Sequence, residues 1–265
     1  MKIEEMLNKI YLETKNGFEY VKEIPDKSID MILCDLPYGT TACKWDIIIP
    51  FDLLWEQYKR IIKDKGAIVL TASQPFVTDL INSNREWFKY EWIWYKSKPS
   101  GIAFKNQPMR NHENILVFAK NKTKYFPIKE ERVGFTDSSI KRFASGENLG
   151  TYRNHGNENF NLGKTNLKPI SKLRNPTTLR KIASVPNRLG TFHPTQKPVA
   201  LFEYLIKTYT NEGDIVLDNC IGSGTTAIAC KRLNRNFIGM EIYQNYIDIS
   251  YKRLSETKQG EGIIC

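Results

Sequence analysis

Cysteine is sparse and poorly placed for cross-linking. Five stand in 265 residues, at Cys34, Cys43, Cys220, Cys230 and Cys265, with no C-x-x-C spacing among them. An odd count without that spacing argues against a disulfide framework or a structural zinc site, and for a reducing cytosol. Long apolar runs are also missing: no stretch of about eighteen or more hydrophobic residues offers a membrane span. The opening Met1-Lys2-Ile3-Glu4-Glu5 is charged and has no signal-peptide core. Acidic residues are scarce in the middle of the chain. From Lys96 to Arg188 there are nineteen Lys and Arg against six Asp and Glu, a balance of +13. The remainder therefore carries about −3 of the total +10. A segregated basic block suggests a polyanion, nucleic acid ahead of an anionic membrane. A solvated basic surface is the plainer alternative.

What is present suffices for a folded core. Hydrophobic residues make up 41% and aromatics 12%, which argues against general disorder. The length suits one large domain, or one domain with a sizeable insertion. Ile29-Asp30-Met31-Ile32-Leu33-Cys34 predicts a buried strand, and Ala67 to Thr71 a second. Between them Phe51, Leu54, Trp55, Tyr58, Ile61 and Ile62 keep helical spacing after Pro50, with Lys65-Gly66 as the stop. Further strands are expected at Tyr90 to Tyr95, Ile115 to Phe118, Asp214 to Asp218 and Phe237 to Glu241. Helices are expected near Phe76 to Ile81, over Phe202 to Tyr209, up to Leu233, and from Gln244 to Leu254. Such alternation predicts an α/β fold with a doubly wound, mostly parallel sheet. From residue 121 to 190 the pattern dissolves into Gly, Asn, Ser, Thr and Pro, with basic residues interleaved with Phe and Tyr. This stretch is expected to be a loop-rich insertion that touches nucleic acid. The polar tail from Ser255 is expected to fray.

Two stretches carry chemistry. Asp35-Leu36-Pro37-Tyr38-Gly39 follows a strand, and Pro-Tyr-Gly breaks it into a turn. An acid and an aromatic ring are thus left at a strand's C-terminal edge, where open α/β sheets bind ligands. A carboxylate and backbone carbonyls there can accept hydrogens from an amino group, and a Tyr ring can stack on a flat heterocycle. The second stretch, Gly222-Ser223-Gly224, stands between a strand and a helix. Glycines in that position let a ligand approach the backbone and the helix N-terminus. Glu241 ends the next strand, seventeen residues past Gly224, where an acid suits ribose hydroxyls. Gly222-x-Gly224-x-x-Ala227 also fits a dinucleotide fingerprint. A dehydrogenase has no need of the basic insertion, however, and the missing Lys excludes a P-loop. Adenosine-type cofactor binding is the supported part. A cytosine-C5 mechanism through Cys34 or Cys43 lacks the surroundings a thiolate needs.

Three segments taken together resemble a known family. Asp35-Leu36-Pro37-Tyr38, His193-Pro194-Thr195-Gln196-Lys197-Pro198 and Asp218-Asn219-Cys220-Ile221-Gly222-Ser223-Gly224-Thr225-Thr226, in that order, are similar to the β group of amino-methylating DNA methyltransferases. The resemblance implies the seven-stranded methyltransferase fold. It implies a catalytic half at 1–120, a target-recognition insertion at 121–190 and a cofactor half at 191–265. It also implies S-adenosyl-L-methionine as cofactor, with double-stranded DNA, a second copy of the chain and a companion restriction endonuclease as partners, in the cytoplasm. By position, Asp35 and the Leu36 and Pro37 carbonyls would hold the target amino group, with Tyr38 stacked on the flipped base. The implied cofactor contacts are Asn16, Asp35, His193, Thr195, Gln196, Lys197, Asp218, Asn219, Cys220, Gly222, Ser223, Gly224, Thr225, Thr226 and Glu241. Lys141, Arg142, Arg153, Lys172, Arg174, Arg180 and Lys181 are the expected DNA contacts. No metal is implied. Leu36 departs from the family's usual Pro, and Asn16 from its Asp. The Asp at the head of the catalytic motif leans the resemblance toward adenine N6, with cytosine N4 as the near alternative. An RNA or protein-amide methyltransferase, or an inactive DNA-binding relative, stands further off.

Overall fold

The computed structural model describes residues 2–12, 18–39, 46–100, 106, 108–132, 172–185 and 196–262. Along these the chain runs α1 (Ile3–Met6), β1 (Lys9–Leu12), α2 (Glu19–Glu23), β2 (Ile29–Asp35), α3 (Phe51–Ile61) and β3 (Ile62–Ala72). Then come α4 (Phe76–Ser83), β4 (Phe88–Ser100), β5 (Arg110–Phe118), β6 (Glu130–Glu131), β7 (Leu173–Arg174) and β8 (Leu179–Lys181). The chain closes with α5 (Val199–Tyr209), β9 (Ile215–Asp218), α6 (Thr225–Arg232), β10 (Asn236–Glu241) and α7 (Gln244–Glu256).

One sheet in the order β1-β10-β9-β2-β3-β5-β4-β8 organises the larger unit, formed by residues 1–126 and 177–265. Its pairings are parallel except those of β5, which runs against β3 and β4. β2 is buried at every position but its last, which is why it reads as a nearly continuous apolar run. The helical spacing after Pro50 becomes α3, whose Leu54, Trp55, Tyr58 and Ile61 are buried in the core beside Ile32, Leu70 and Phe118. Each such side chain contributes about 1.5–3 kcal/mol over its exposed state. Residues 127–176 form a second unit, in which β6 and β7 pair antiparallel and Arg174 bridges Glu130 at 3.5 Å. Among the described residues no helix is long and apolar enough to cross a membrane.

Three details depart from the sequence expectations. The helix ends at Ile61, and Lys63 to Gly66 already belong to β3. Ile62 pairs with Ile29, Lys63 binds Asp30 at 2.7 Å, and a Cβ on Gly66 would lie 2.8 Å from the Asp30 carbonyl. Within the stretch read as irregular, β8 adds an eighth strand beside β4, secured by the Trp94 indole N–H on the Ile182 carbonyl at 2.8 Å. Three residues without alternation gave no strand signal. The tail does not fray up to Gly262, whose N–H donates to the Arg232 carbonyl at 2.9 Å.

Candidate active site

β2 and β9 lie side by side and parallel, Met31 opposite Val216 and Ile32 opposite Leu217. From β2 the chain continues to β3 on one side, and from β9 to β10 on the other. Their C-terminal ends therefore flank the point where strand order reverses, and a crevice opens there in doubly wound sheets. Asp35 ends one strand and Asp218 the other.

At the β2 edge, polar groups from separate segments converge on Asp35. Oδ1 accepts the Tyr38 hydroxyl at 2.7 Å and also the Thr71 hydroxyl, which sits at the matching register on β3. Oδ2 accepts the Lys197 ammonium at 2.7 Å. Lys197, 7% exposed, also lies 3.3 Å from Glu113 of β5, whose other oxygen meets Lys96 of β4 at 2.5 Å. Burial works against the Lys197 charge, yet Asp35 and Glu113 outweigh it and hold the ammonium above the usual lysine range. For Glu113 burial is likewise outweighed, by Lys197 and Lys96, and its carboxyl sits below the ordinary value. The Tyr38 ring stacks on Phe76 with centroids 5.4 Å apart, and the Lys197 ammonium stands 5.7 Å from its centre. Burial, then the Asp35 and Glu113 charges, push the Tyr38 phenol well up, so it stays a hydroxyl.

Backbone shape dominates the β9 edge. Gly222 and Gly224 both take positive φ, +52° and +85°. A Cβ on Gly224 would stand 2.8 Å from the Ser250 Cβ of α7, so glycine is required for both conformation and space. Glu241 accepts three amides, from Gly222 at 3.0 Å, Ile242 at 2.9 Å and Tyr243 at 3.1 Å. Burial nonetheless leaves its pKa raised. Asp218 accepts the Cys220 amide at 3.0 Å and the Thr226 hydroxyl, and burial pushes it up to about 7. Asn219 takes the Tyr58 hydroxyl at 2.5 Å. From α7, Arg253 donates to the Ser223 carbonyl and, at 3.0 Å, to its hydroxyl, while Ser250 bonds the Gly222 carbonyl at 3.0 Å.

Lys197 joins the two edges. Its side chain is on Asp35, and its carbonyl accepts the Thr225 hydroxyl at 3.3 Å; the neighbouring Gln196 accepts the Ser223 hydroxyl, also at 3.3 Å. The structure thus brings together Asp35, Leu36, Pro37, Tyr38, Gln196, Lys197, the 218–226 turn and Glu241. Leu36 packs its side chain into the core, 4% exposed. Lys197, expected on the cofactor, is found on Asp35. Asn16, His193, Thr195, Lys141, Arg142 and Arg153 lie outside the described residues. Arg180 braces β8: its guanidinium stands over the Trp92 and Tyr204 rings at 5.8 and 5.1 Å and donates to the Thr177 carbonyl. Lys181 is exposed, 5.9 Å above the Tyr95 ring. Lys172 and Arg174 belong to the second unit. Sequence reasoning missed Thr71, Glu113, Ser250 and Arg253. Nothing local in the sequence marks Thr71 or Glu113, which reach the site through strand register. Cys34 is a core residue whose burial drives its thiol well up, unlike a nucleophile. Among the described residues no cluster of His, Cys, Asp and Glu could hold a metal.

A carboxylate and aromatic ring on one strand end, with a glycine turn on its parallel neighbour, define a ligand site of the doubly wound class. Comparison with known proteins gives the family. A model described as DNA methylase, of the N6/N4 methyltransferase type, matches residues 29–252, and the chain belongs to that family. It is 29% identical to the Type II methyltransferase M.HpaI of Haemophilus parainfluenzae, over 92% of this chain and 74% of that one. With the DNA adenine methyltransferase YhdJ of Escherichia coli K12 it shares 30% identity, over 88% and 79%. Among solved structures, the M1.HpyAVI-SAM complex superposes with a TM-score of 0.61 at 26% identity, covering 93% of this chain and 99% of that one. The cytosine-N4-specific PvuII methyltransferase, at 16% identity over 92% and 85%, shares the fold with a TM-score of 0.62.

Proposed function

We propose that this DNA methyltransferase moves a methyl group from S-adenosylmethionine to the exocyclic N6 of adenine, with the base rotated out of the duplex. The observation that carries this is the Lys197 bridge, which sets the Asp35 carboxylate beside the glycine turn. The name of YhdJ supports adenine, and the M1.HpyAVI-SAM complex supports the cofactor.

The residues present fit that cofactor. Gly224 begins α6 without a side-chain cap, so a ligand carboxylate can take the cap's place. Glu241, with three amides on it, keeps about one of its four acceptor positions. That suits one ribose hydroxyl. Gln196, Asp218, Asn219, Cys220, Ser223, Thr225 and Thr226 complete the wall. When bound, S-adenosylmethionine supplies a methyl group on a sulfonium that leaves readily, so no protein nucleophile is required.

An exocyclic amine is a weak nucleophile because its lone pair is delocalised into the ring. Asp35 also keeps about one free acceptor position beyond Tyr38, Thr71 and Lys197. By taking one amino hydrogen there, with the Leu36 and Pro37 carbonyls available for the other, it favours a pyramidal and more reactive nitrogen. Positioning and electrostatics then supply the acceleration. Phe76 backs the Tyr38 ring as a stacking surface, offsetting the few kcal/mol of base extrusion. Lys141, Arg142, Arg153, Lys172, Arg174 and Lys181 serve the DNA backbone, with a homodimer and a companion Type II endonuclease as partners in the cytoplasm. Incubation with DNA and labelled S-adenosylmethionine, followed by nucleoside mass spectrometry, tests the proposal. N6-methyladenine is expected; N4-methylcytosine, or no methylated nucleoside, would overturn it.

A further inference from the structure

The Lys197 ammonium lies between two carboxylates, and the transfer step as described gives that charge no role of its own. A lysine ammonium has three hydrogens to donate and no acceptor. Two of its neighbours are carboxylates, Asp35 at 2.7 Å and Glu113 at 3.3 Å. Its backbone is fixed on the other side by the Thr225 hydroxyl. Glu113 is held in turn by Lys96 of β4, whose ammonium also stands 5.6 Å from the ring of Trp94, the residue of the same strand that pairs with Glu113. The row Asp35, Lys197, Glu113, Lys96 therefore alternates in sign and sums to zero, the arrangement a buried charge set needs in order to persist.

We propose that Lys197 and Glu113 are a positioning pair for the transfer step: Lys197 orients the Asp35 carboxylate toward the target amino group, and Glu113 fixes Lys197. The inference rests on the methyl-transfer reading above. It differs from a cofactor role for Lys197, because the ammonium binds Asp35 and Glu113 while the carbonyl takes the Thr225 hydroxyl. Asp35 has both oxygens committed, Oδ1 to two hydroxyls and Oδ2 to Lys197, so the carboxylate plane is fixed and its remaining acceptor position has one direction. Without Lys197, Oδ2 is released and the plane can turn. A displacement of about 1 Å at a reacting group costs on the order of 100-fold in rate.

Steady-state methyl transfer and calorimetric cofactor titration on the wild type and four variants test this. Lys197→Met is expected to lower kcat about 100-fold while changing the S-adenosylmethionine Kd less than about threefold. Lys197→Arg should recover about tenfold of the loss. Glu113→Gln, which keeps the shape but removes the charge and leaves one oxygen for two ammonium groups, should lower kcat about tenfold, yet have no further effect when added to Lys197→Met. Weakened cofactor binding with unchanged kcat in Lys197→Met would overturn the proposal, as would full additivity of the two substitutions. A wild-type protein that transfers no methyl group would bring down the underlying reading as well. Active wild type with either of the former results would sink the pair alone.

Discussion

The two edges of the site solve the same problem with opposite materials. At the end of β2 the work falls to side chains: Asp35, Tyr38, Thr71, Lys197 and Glu113 come from separate segments and meet as one hydrogen-bonded set of charges. At the end of β9 the backbone supplies the surface. There Asp218, Glu241, Ser250 and Arg253 all bond to the 220–226 turn, whose two glycines take positive φ. On the proposed reading, the difference follows from what each edge handles. An amino group in transfer needs directed acceptors, whereas a cofactor needs room and exposed amides. Damage to the first edge should therefore appear in turnover, and damage to the second in cofactor affinity and stability.

The sharpest break of that division comes from Asp35→Ala. Turnover should fall about 10³-fold, with cofactor Kd within about threefold of wild type by calorimetry. Gly224→Ala attacks the other edge: the added Cβ meets Ser250 at 2.8 Å in a backbone of φ +85°. Chemical denaturation should show a loss of about 1–3 kcal/mol, together with weaker cofactor binding. Glu241→Ala should weaken the cofactor about tenfold and leave kcat at saturation nearly unchanged. The smallest effect concerns pH. Asp218, pushed up to about 7 by burial, keeps its proton in the folded chain where the unfolded carboxyl has lost it. Its contribution to stability is complete below about pH 4 and fades as pH rises through about 7. Urea unfolding across that range should show wild type losing stability relative to Asp218→Asn.

How much of this was legible beforehand depended on whether the signal was local. β2, β9 and α3 announce themselves by apolar run or helical spacing, and each motif sits where strand edge meets turn. The parallel neighbours β2 and β9 bring together stretches 183 positions apart, Asp35 and Asp218. That juxtaposition was available from motif order through the family resemblance, although no residue near either stretch encodes it. Thr71 and Glu113 were not legible. Each reaches the site through strand register, Thr71 opposite Asp35 and Ile115 opposite Thr71, and register is a property of pairing, invisible in one segment. The contacts of Lys197 with Asp35 and Glu113 were not legible either: its motif fixes where the backbone runs, not which acid its four-carbon chain will find. Arg180 shows the same limit, since a basic residue in a basic block gives no sign that two aromatic rings await it.

The central claim is that both edges serve one reacting centre. A crystal structure with a non-reactive analogue of S-adenosylmethionine tests it most directly. The analogue's ribose is expected at Glu241 and its amino-acid end on the 222–226 turn, with the position of the transferable group within a nucleobase's reach of Asp35, roughly 10 Å. An analogue bound away from the glycine turn, or with that group directed away from Asp35, would contradict it.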